Sequence, residues 1–423
     1  MVDVTPAPAQ RRWRRWLGAL GPGVTTGAAD DDPSGIATYS VVGAQYGTTL
    51  LWSALFTWPL MGAVQMLCAR VGMVTGMGLA GALRQRFPRW LVGLIALALL
   101  VANTVNIAAD LAGMADAMEL LGAGPSDLYV WLFGLGICAL TIRLRYHQIA
   151  SVLKWLALVL FAYVGTALLA QPHWPDVLRD TLLPRLPAGP GAWGALVAIL
   201  GTTISPYLFF WQAGQEVEEG KAKGRRLTVH RDGVSRRAIA DRRLDVGVGT
   251  FFSNVVMFFI MLTTALTLHA HGVTIQTTRD AAAALRPLAG EGAYLLYTLG
   301  IVGTGLLAIP TLAGSAAYAF AETFDWAYGL DEKFRNAVSF YAVFVFATVA
   351  GAVLDLLDVD PIRALYWSAI VNGLLAPFLL LALLAICGDR VLMRGQPSSR
   401  LTRGVVALTT LLMFAAAIGM FLF

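Results

Sequence analysis

Asp30-Asp31-Asp32-Pro33-Ser34-Gly35 interrupts the first long apolar segment of the chain, between Gly21-Pro22-Gly23 and Gln45-Tyr46-Gly47. A charge at the centre of a bilayer costs about 2.5–3.5 kcal/mol on insertion scales. Pro33 removes a backbone donor and blocks the turn before it, and Gly35 adds backbone freedom. The stretch predicts a broken helix whose freed carbonyls and carboxylates face a polar cavity instead of lipid. Freed oxygens with a carboxylate beside them make a cation site.

The rest of the chain supplies the membrane. Of 423 residues, 57% are hydrophobic and 13% are charged, against about 25% charged in soluble domains. Apolar runs of helix-spanning length predict an all-α membrane protein of about eleven transmembrane helices. The spans fall near residues 17–45 (broken), 49–70, 90–120, 127–142, 151–170, 192–219 (broken), 245–269, 291–321, 337–358, 362–387 and 404–423. They form a single membrane domain: a first five-helix repeat over 17–170, a second over 192–387, and an extra helix at 404–423. Cys68, Cys138 and Cys387 sit singly in apolar runs and read as inert buried thiols.

Arg11, Arg12, Arg14 and Arg15 precede the first run, which reaches Asp30 too soon for the core of a cleaved signal peptide. With this basic end inside, only Arg179, Arg185, Arg279, Arg286 and Arg363 of the 31 Lys and Arg fall outside. That asymmetry predicts a cytoplasmic N-terminus in an inner, cytoplasmic membrane. The basic loop from Gly220 to Arg243 reads as a solvated inside loop facing lipid head groups, not as a nucleic-acid interface.

A second break follows five spans later, at Gly201-Thr202-Thr203-Ile204-Ser205-Pro206-Tyr207, with Gln212, Gln215, Glu216, Glu218 and Glu219 beyond it. Paired interruptions at corresponding positions of two halves point to an inverted-repeat transporter with its site at mid-membrane. In the third span Asn103, Asn106 and Asp110 share a helix face. That face either lines an ion or proton path or hydrogen-bonds neighbouring helices. Ser368 and Asn372 in span ten are within reach of the cavity, but interhelical hydrogen bonding is the role that suits them better. Glu216 and Glu219 read either as an exit funnel or as a solvated helix end. The five histidines have no partner at metal-ligand spacing within a helix and read as interfacial or loop residues.

These residues resemble the Nramp family of divalent-metal transporters, with an Asp-Pro-Gly-Asn break in the first helix, a Met-Pro-His break in the sixth and a LeuT-type 5+5 fold. The resemblance covers spans one to ten. It is specific at the two breaks, at Asp110-Leu111-Ala112, and at Ser368 with Pro377. It implies that the family's metal-binding Asp falls on Asp32 and its Asn on Gly35. The family's Met falls on Ser205, its carbonyl donor on Thr202 and its span-ten glutamine on Ala369.

The departures point to the substrate. A thioether selects softer transition metals, whereas Ser205 offers a hard oxygen and Gly35 removes an amide and leaves room. Asp32, Ser205, backbone oxygens and water, with Asp31 and Asp30 close by, suit magnesium, which keeps much of its hydration. The site looks like that of the magnesium-transporting branch related to Nramps, with manganese a close second. The family's sixth-helix histidines fall on Tyr207 and Gln212, and a span-three glutamate falls on Gly113. Neither Tyr nor Gln titrates near neutral pH, so weak or absent proton coupling is expected, with Asp110 and Asn106 as remnants of a path. Tyr207 is placed to bond a metal-bound water. A divalent ion crossing 100 mV gains about 4.6 kcal/mol, enough to drive accumulation.

Two other readings stand beside this one. One is an ordinary proton-coupled Mn2+/Fe2+ symporter. The other is a cation-coupled amino-acid or organic-solute transporter, against which three aspartates at the first break argue. No nucleophile–base pair or phosphate loop supports an enzyme, and no resident cofactor is expected beyond the transported cation.

Overall fold

Asp32 caps a helix, which is why the first span breaks where it does. Its backbone is extended (φ −72°, ψ 169°) and its carboxylate accepts the Gly35 N–H, with Pro33 in the first turn, the arrangement favoured at helix starts. Helix α1 (Pro22–Asp30) therefore stops, and α2 (Pro33–Tyr46) begins afresh. Pro206 opens a helix in the same way at the second break, between α9 (Pro190–Thr203) and α10 (Pro206–Ala222).

The computed structural model describes residues 21–122, 124–143, 156–187, 190–222, 234–330, 332–357 and 359–422. The basic N-terminal cluster, most of the loop after α10, and Arg145, His147, Lys154 and His230 lie outside the described residues. All regular structure within them is helical. After α2 come α3 (Trp52–Thr75), α4 (Leu79–Arg84), α5 (Arg89–Glu119), α6 (Ser126–Arg143), α7 (Ala162–Leu169) and α8 (Trp174–Leu182). After α10 come α11 (Arg236–Thr267), α12 (Thr278–Ala283), α13 (Arg286–Ala289), α14 (Ala293–Phe324), α15 (Val338–Leu354), α16 (Pro361–Cys387) and α17 (Arg400–Leu422).

Nine helices among the described residues are long and apolar enough to cross a bilayer, counting α9 and α10 together. The broken pair α1/α2 and the shorter apolar helix Leu158–Leu169 occupy the two remaining expected positions. The chain is a multi-pass membrane protein. Helix α5 shows how one span serves both lipid and protein. Leu94, Leu97 and Val101 are exposed on one side, whereas Asn103, Asn106 and Asp110 are fully buried on another. Asn103 serves packing, donating to the Leu312 carbonyl and the Ser315 hydroxyl of α14.

The two halves interlock with exchanged roles. Span one (α1/α2) lies along α11, the seventh span, and α10 of span six lies along α3, the second. Exchanging the halves turns one contact into the other, while α5 against α14, spans three and eight, maps onto itself. This is the LeuT-type arrangement with breaks in helices one and six. Small residues permit the closest crossings: Gly27 rests on the Gly249 backbone, and Gly201 on the backbones of Ala369 and Gly373.

Candidate functional site

The first break sends its carboxylates in two directions. Asp32 Oδ1 accepts the Ser34 hydroxyl and the Gly35 N–H, both at 2.7 Å. Asp32 Oδ2 faces α5, where Asn106 Nδ2 donates one hydrogen to it and the other to Asp110 Oδ2, each at 3.1 Å. Asn106 Oδ1 in turn accepts from Asn372 of α16 at 3.0 Å. Asp32, Asn106, Asp110 and Asn372 thus form one buried chain across three elements. Ser368, in contrast, bonds within its own helix, to the Leu365 carbonyl.

Asp30 and Asp31 turn instead to α11. The Ser253 hydroxyl lies 2.6 Å from Asp30 Oδ2 and 3.1 Å from Asp31 Oδ1. Ser253 has one proton, so it satisfies only one carboxylate at a time. Among the described residues Asp30 Oδ1 and Asp110 Oδ1 are buried without a hydrogen-bond partner. No three His, Cys, Asp or Glu side chains among the described residues converge as a metal cluster. A cation beside Asp32 would meet one carboxylate, with hydroxyls, carbonyls and water completing its shell.

The second break meets the first directly. The Tyr207 hydroxyl donates to the Ala29 carbonyl at 3.0 Å, near the end of α1. Ser205 Oγ bends back to the Gly201 and Thr202 carbonyls at 2.9 and 2.7 Å, covering oxygens that the end of α9 leaves without helical donors. Helices α1 and α9 both end at this level, and their C-termini carry partial negative charge. The arrangement can stabilise a cation without a second full charge.

The gap expected at Gly35 is occupied. A Cβ placed there would lie 3.0 Å from Thr202 Oγ1, which also has the Tyr39 hydroxyl nearby without a well-formed hydrogen bond. Expected only as a carbonyl donor, Thr202 therefore projects its hydroxyl toward the space a side chain at 35 would fill, while its carbonyl is taken by Ser205. The space is occupied because α9 brings a β-branched polar residue to the level of the break.

Gln212 lies away from Asp32, donating to Glu216 at 2.8 Å one turn further along α10. Glu216 forms neither a funnel nor a solvated end. It is buried and paired with Arg242 of α11 at 2.6 Å. Arg242 also binds Glu219 and, at 2.5 Å, Asp245. Asp245 accepts the N–H groups of Gly21, Gly23 and Val24 at 2.8, 2.8 and 3.1 Å, capping the start of α1. This cluster clamps α1, α10 and α11 together at one end of the path. Sequence reasoning missed it, and missed Ser253. The Arg242-x-x-Asp245 spacing was the available signal, but within a basic stretch it reads as ordinary inside charge.

The comparisons with known proteins agree with this architecture. The model of the natural resistance-associated macrophage protein-like family, Nramp, matches residues 23–423. The divalent metal cation transporter MntH of Aeromonas hydrophila is 26% identical over 414 residues, covering 95% of this chain and 94% of that protein. MntH of Acidiphilium cryptum is 28% identical over 411 residues, covering 94% and 88%. Among solved structures, a manganese transporter of Eremococcus coleocola superposes with a TM-score of 0.72 at 20% identity, covering 98% of this chain and 88% of that one. Mhp1, a nucleobase-cation-symport-1 family transporter in a closed conformation, gives 0.56 at 14% identity, with 95% and 90% covered.

Proposed function

The chain belongs to the Nramp family, and on that premise we propose that it carries a divalent metal cation, Mg2+ or Mn2+, inward across the cytoplasmic membrane by alternating access, with weak or no proton coupling. The family and the names of the relatives supply the cargo class. The observation that carries the finer reading is the donor set at the two breaks: the Asp32 carboxylate, the Ser205 and Thr202 hydroxyls and the carbonyl ends of α1 and α9. These are hard oxygens, suited to Mg2+ and tolerated by Mn2+.

Asp32 holds the ion, Ser205 stands where the family's resemblance places a sulfur, and Thr202 faces the Gly35 backbone. Asp31 and Asp30, anchored at Ser253, raise the local concentration of cations. Asp32 is 1% exposed and the Arg242 cluster closes one end, so release requires α1 to part from α10 and α11. Weak coupling is supported by Asn106, whose amide separates Asp32 from Asp110 and neither takes up nor releases a proton near neutral pH. Tyr207 and Gln212 bond the Ala29 carbonyl and Glu216 and add no such group.

A second reading, proton-coupled Mn2+ or Fe2+ symport, draws on the MntH relatives and on buried Asp110 beside the site. Uptake of Mg2+, Mn2+ and Ca2+ into proteoliposomes, with internal pH followed, separates the two. Metal uptake without matching acidification, lost in Asp32→Ala, is the expected result; stoichiometric acidification establishes symport instead. Uptake of labelled amino acids and no metal would move the chain to the organic-solute class.

A further inference from the structure

One face of α11 runs Arg236, Ala240, Arg243, Gly247 and Phe251, three or four residues apart, and so forms a continuous stripe. The stripe borders a crevice of about 610 Å³ that Trp58 of α3 closes from the other side. A second hollow of about 230 Å³, floored by Gly62 and Met66 of α3, shares Trp58, Arg243 and Gly247 with it. A Cβ added at Gly247 meets nothing within 4 Å, so the missing side chain leaves open space between the two lobes. The Trp58 and Phe251 rings meet edge-on at 5.3 Å, and both residues are exposed on membrane-spanning helices.

The charge is confined to one end. Arg236 and Arg243 are exposed, and neither is within ion-pair distance of a carboxylate among the described residues. Arg242, their neighbour in sequence, binds three. The crevice is therefore cationic at the arginine-rich end of the bundle and apolar further in.

We propose that this crevice between α3 and α11 is a binding site for an anionic glycerophospholipid, its phosphodiester between Arg236 and Arg243 and its acyl chains in the two lobes beside Gly247. The bilayer supplies such a molecule laterally, and its acyl chains match the apolar surface of Trp58, Phe251 and Phe252, exposed on helices long and apolar enough to cross a membrane. A zwitterionic lipid brings the same phosphate with an ammonium beside it, which the arginines repel, so the site selects net negative charge. The lipid rests on the helix whose other side carries Arg242 and Asp245 against α1, and occupancy fixes α11 in that clamped position.

The test is lipid retention by the purified full chain, measured by native mass spectrometry with phosphatidylglycerol and phosphatidylcholine of identical acyl chains. Wild type is expected to retain the anionic lipid roughly tenfold better. Arg236→Gln with Arg243→Gln should bring the ratio near one while leaving retention of phosphatidylcholine unchanged. Gly247→Leu, which fills the space between the two lobes, should lower retention of both. The arginines are exposed and have no carboxylate partner among the described residues, so their removal should leave the unfolding temperature in phosphatidylcholine unchanged, and this variant decides the matter if Gly247→Leu fails to fold. Equal retention of the two lipids by wild type, or an unchanged ratio in the double glutamine variant, would mean annular lipid only and overturn the site.

Discussion

Tyr207 and Ala29, 178 residues apart in the chain, are joined by a hydrogen bond of 3.0 Å from the tyrosine hydroxyl to the alanine carbonyl. It ties the start of α10 to the end of α1, so the two breaks hold one another at the level of Asp32.

Tyr207→Phe removes this donor and leaves the buried Ala29 carbonyl without it. A buried acceptor so orphaned costs about 1–3 kcal/mol. The expected result is a lower unfolding temperature in detergent together with slower metal uptake; unchanged stability and rate would show that water replaces the hydroxyl.

At the second break, Ser205→Met places a thioether where a hydroxyl now bonds the Gly201 and Thr202 carbonyls. Competition assays should show Cd2+ and Mn2+ gaining on Mg2+, because sulfur favours softer ions. A selectivity order identical to wild type would place residue 205 outside the ion's coordination shell.

Gly35 and Thr202 should be strongly coupled. Gly35→Asn presses its Cβ toward Thr202 Oγ1, 3.0 Å away, and transport is expected to fall. Adding Thr202→Ala opens the space and should restore uptake. Contacting sites show interaction energies of about 0.5–3 kcal/mol; additive losses in the cycle would separate the two positions.

Removing Arg242 is expected to be the most disruptive of these changes. Arg242→Gln leaves Glu216 and Asp245 buried without their cation, at a cost of about 3–5 kcal/mol. If the protein still folds, hydrogen exchange at residues 21–30 should rise, since Asp245 caps α1 only while it is itself held. Protection equal to wild type in that segment would remove Arg242 from the clamp.

Acid stability should depend on Asp389, which lies beyond α16. The N–H groups of Leu392 and Val391, and then Arg86, hold its carboxyl below the usual carboxylate range. A lowered folded pKa gives stabilisation present above the unfolded pKa and lost as pH falls through the folded one. Asp389→Asn should flatten this acid limb of a melting-temperature profile, and an unaltered limb would assign the loss to other carboxylates.

The helix breaks were legible because their causes are local. Asp32-Pro33 and Ser205-Pro206 contain both the residue that ends one helix and the one that starts the next, and neither depends on what packs beside it. The third-span stripe was half legible: spacing put Asn103, Asn106 and Asp110 on one face, but only the neighbouring helices divided them. Asn103 went to α14, whereas Asn106 went to Asp32 and took Asp110 as its second acceptor.

The sequence by itself determined that this is a helical membrane protein with two matched interruptions and a carboxylate at the first, since span length, charge scarcity and proline position are properties of short segments. Only the tertiary structure decided that Asp30 and Asp31 turn from Asp32 toward Ser253, that the Thr202 hydroxyl approaches Gly35, and that Arg242 gathers Glu216, Glu219 and Asp245. The contacts made by Ser253, Thr202 and Asp245 with the first span join residues more than 160 positions apart. No periodicity records such pairs; they arise from how α11 and α9 come to lie against the first span.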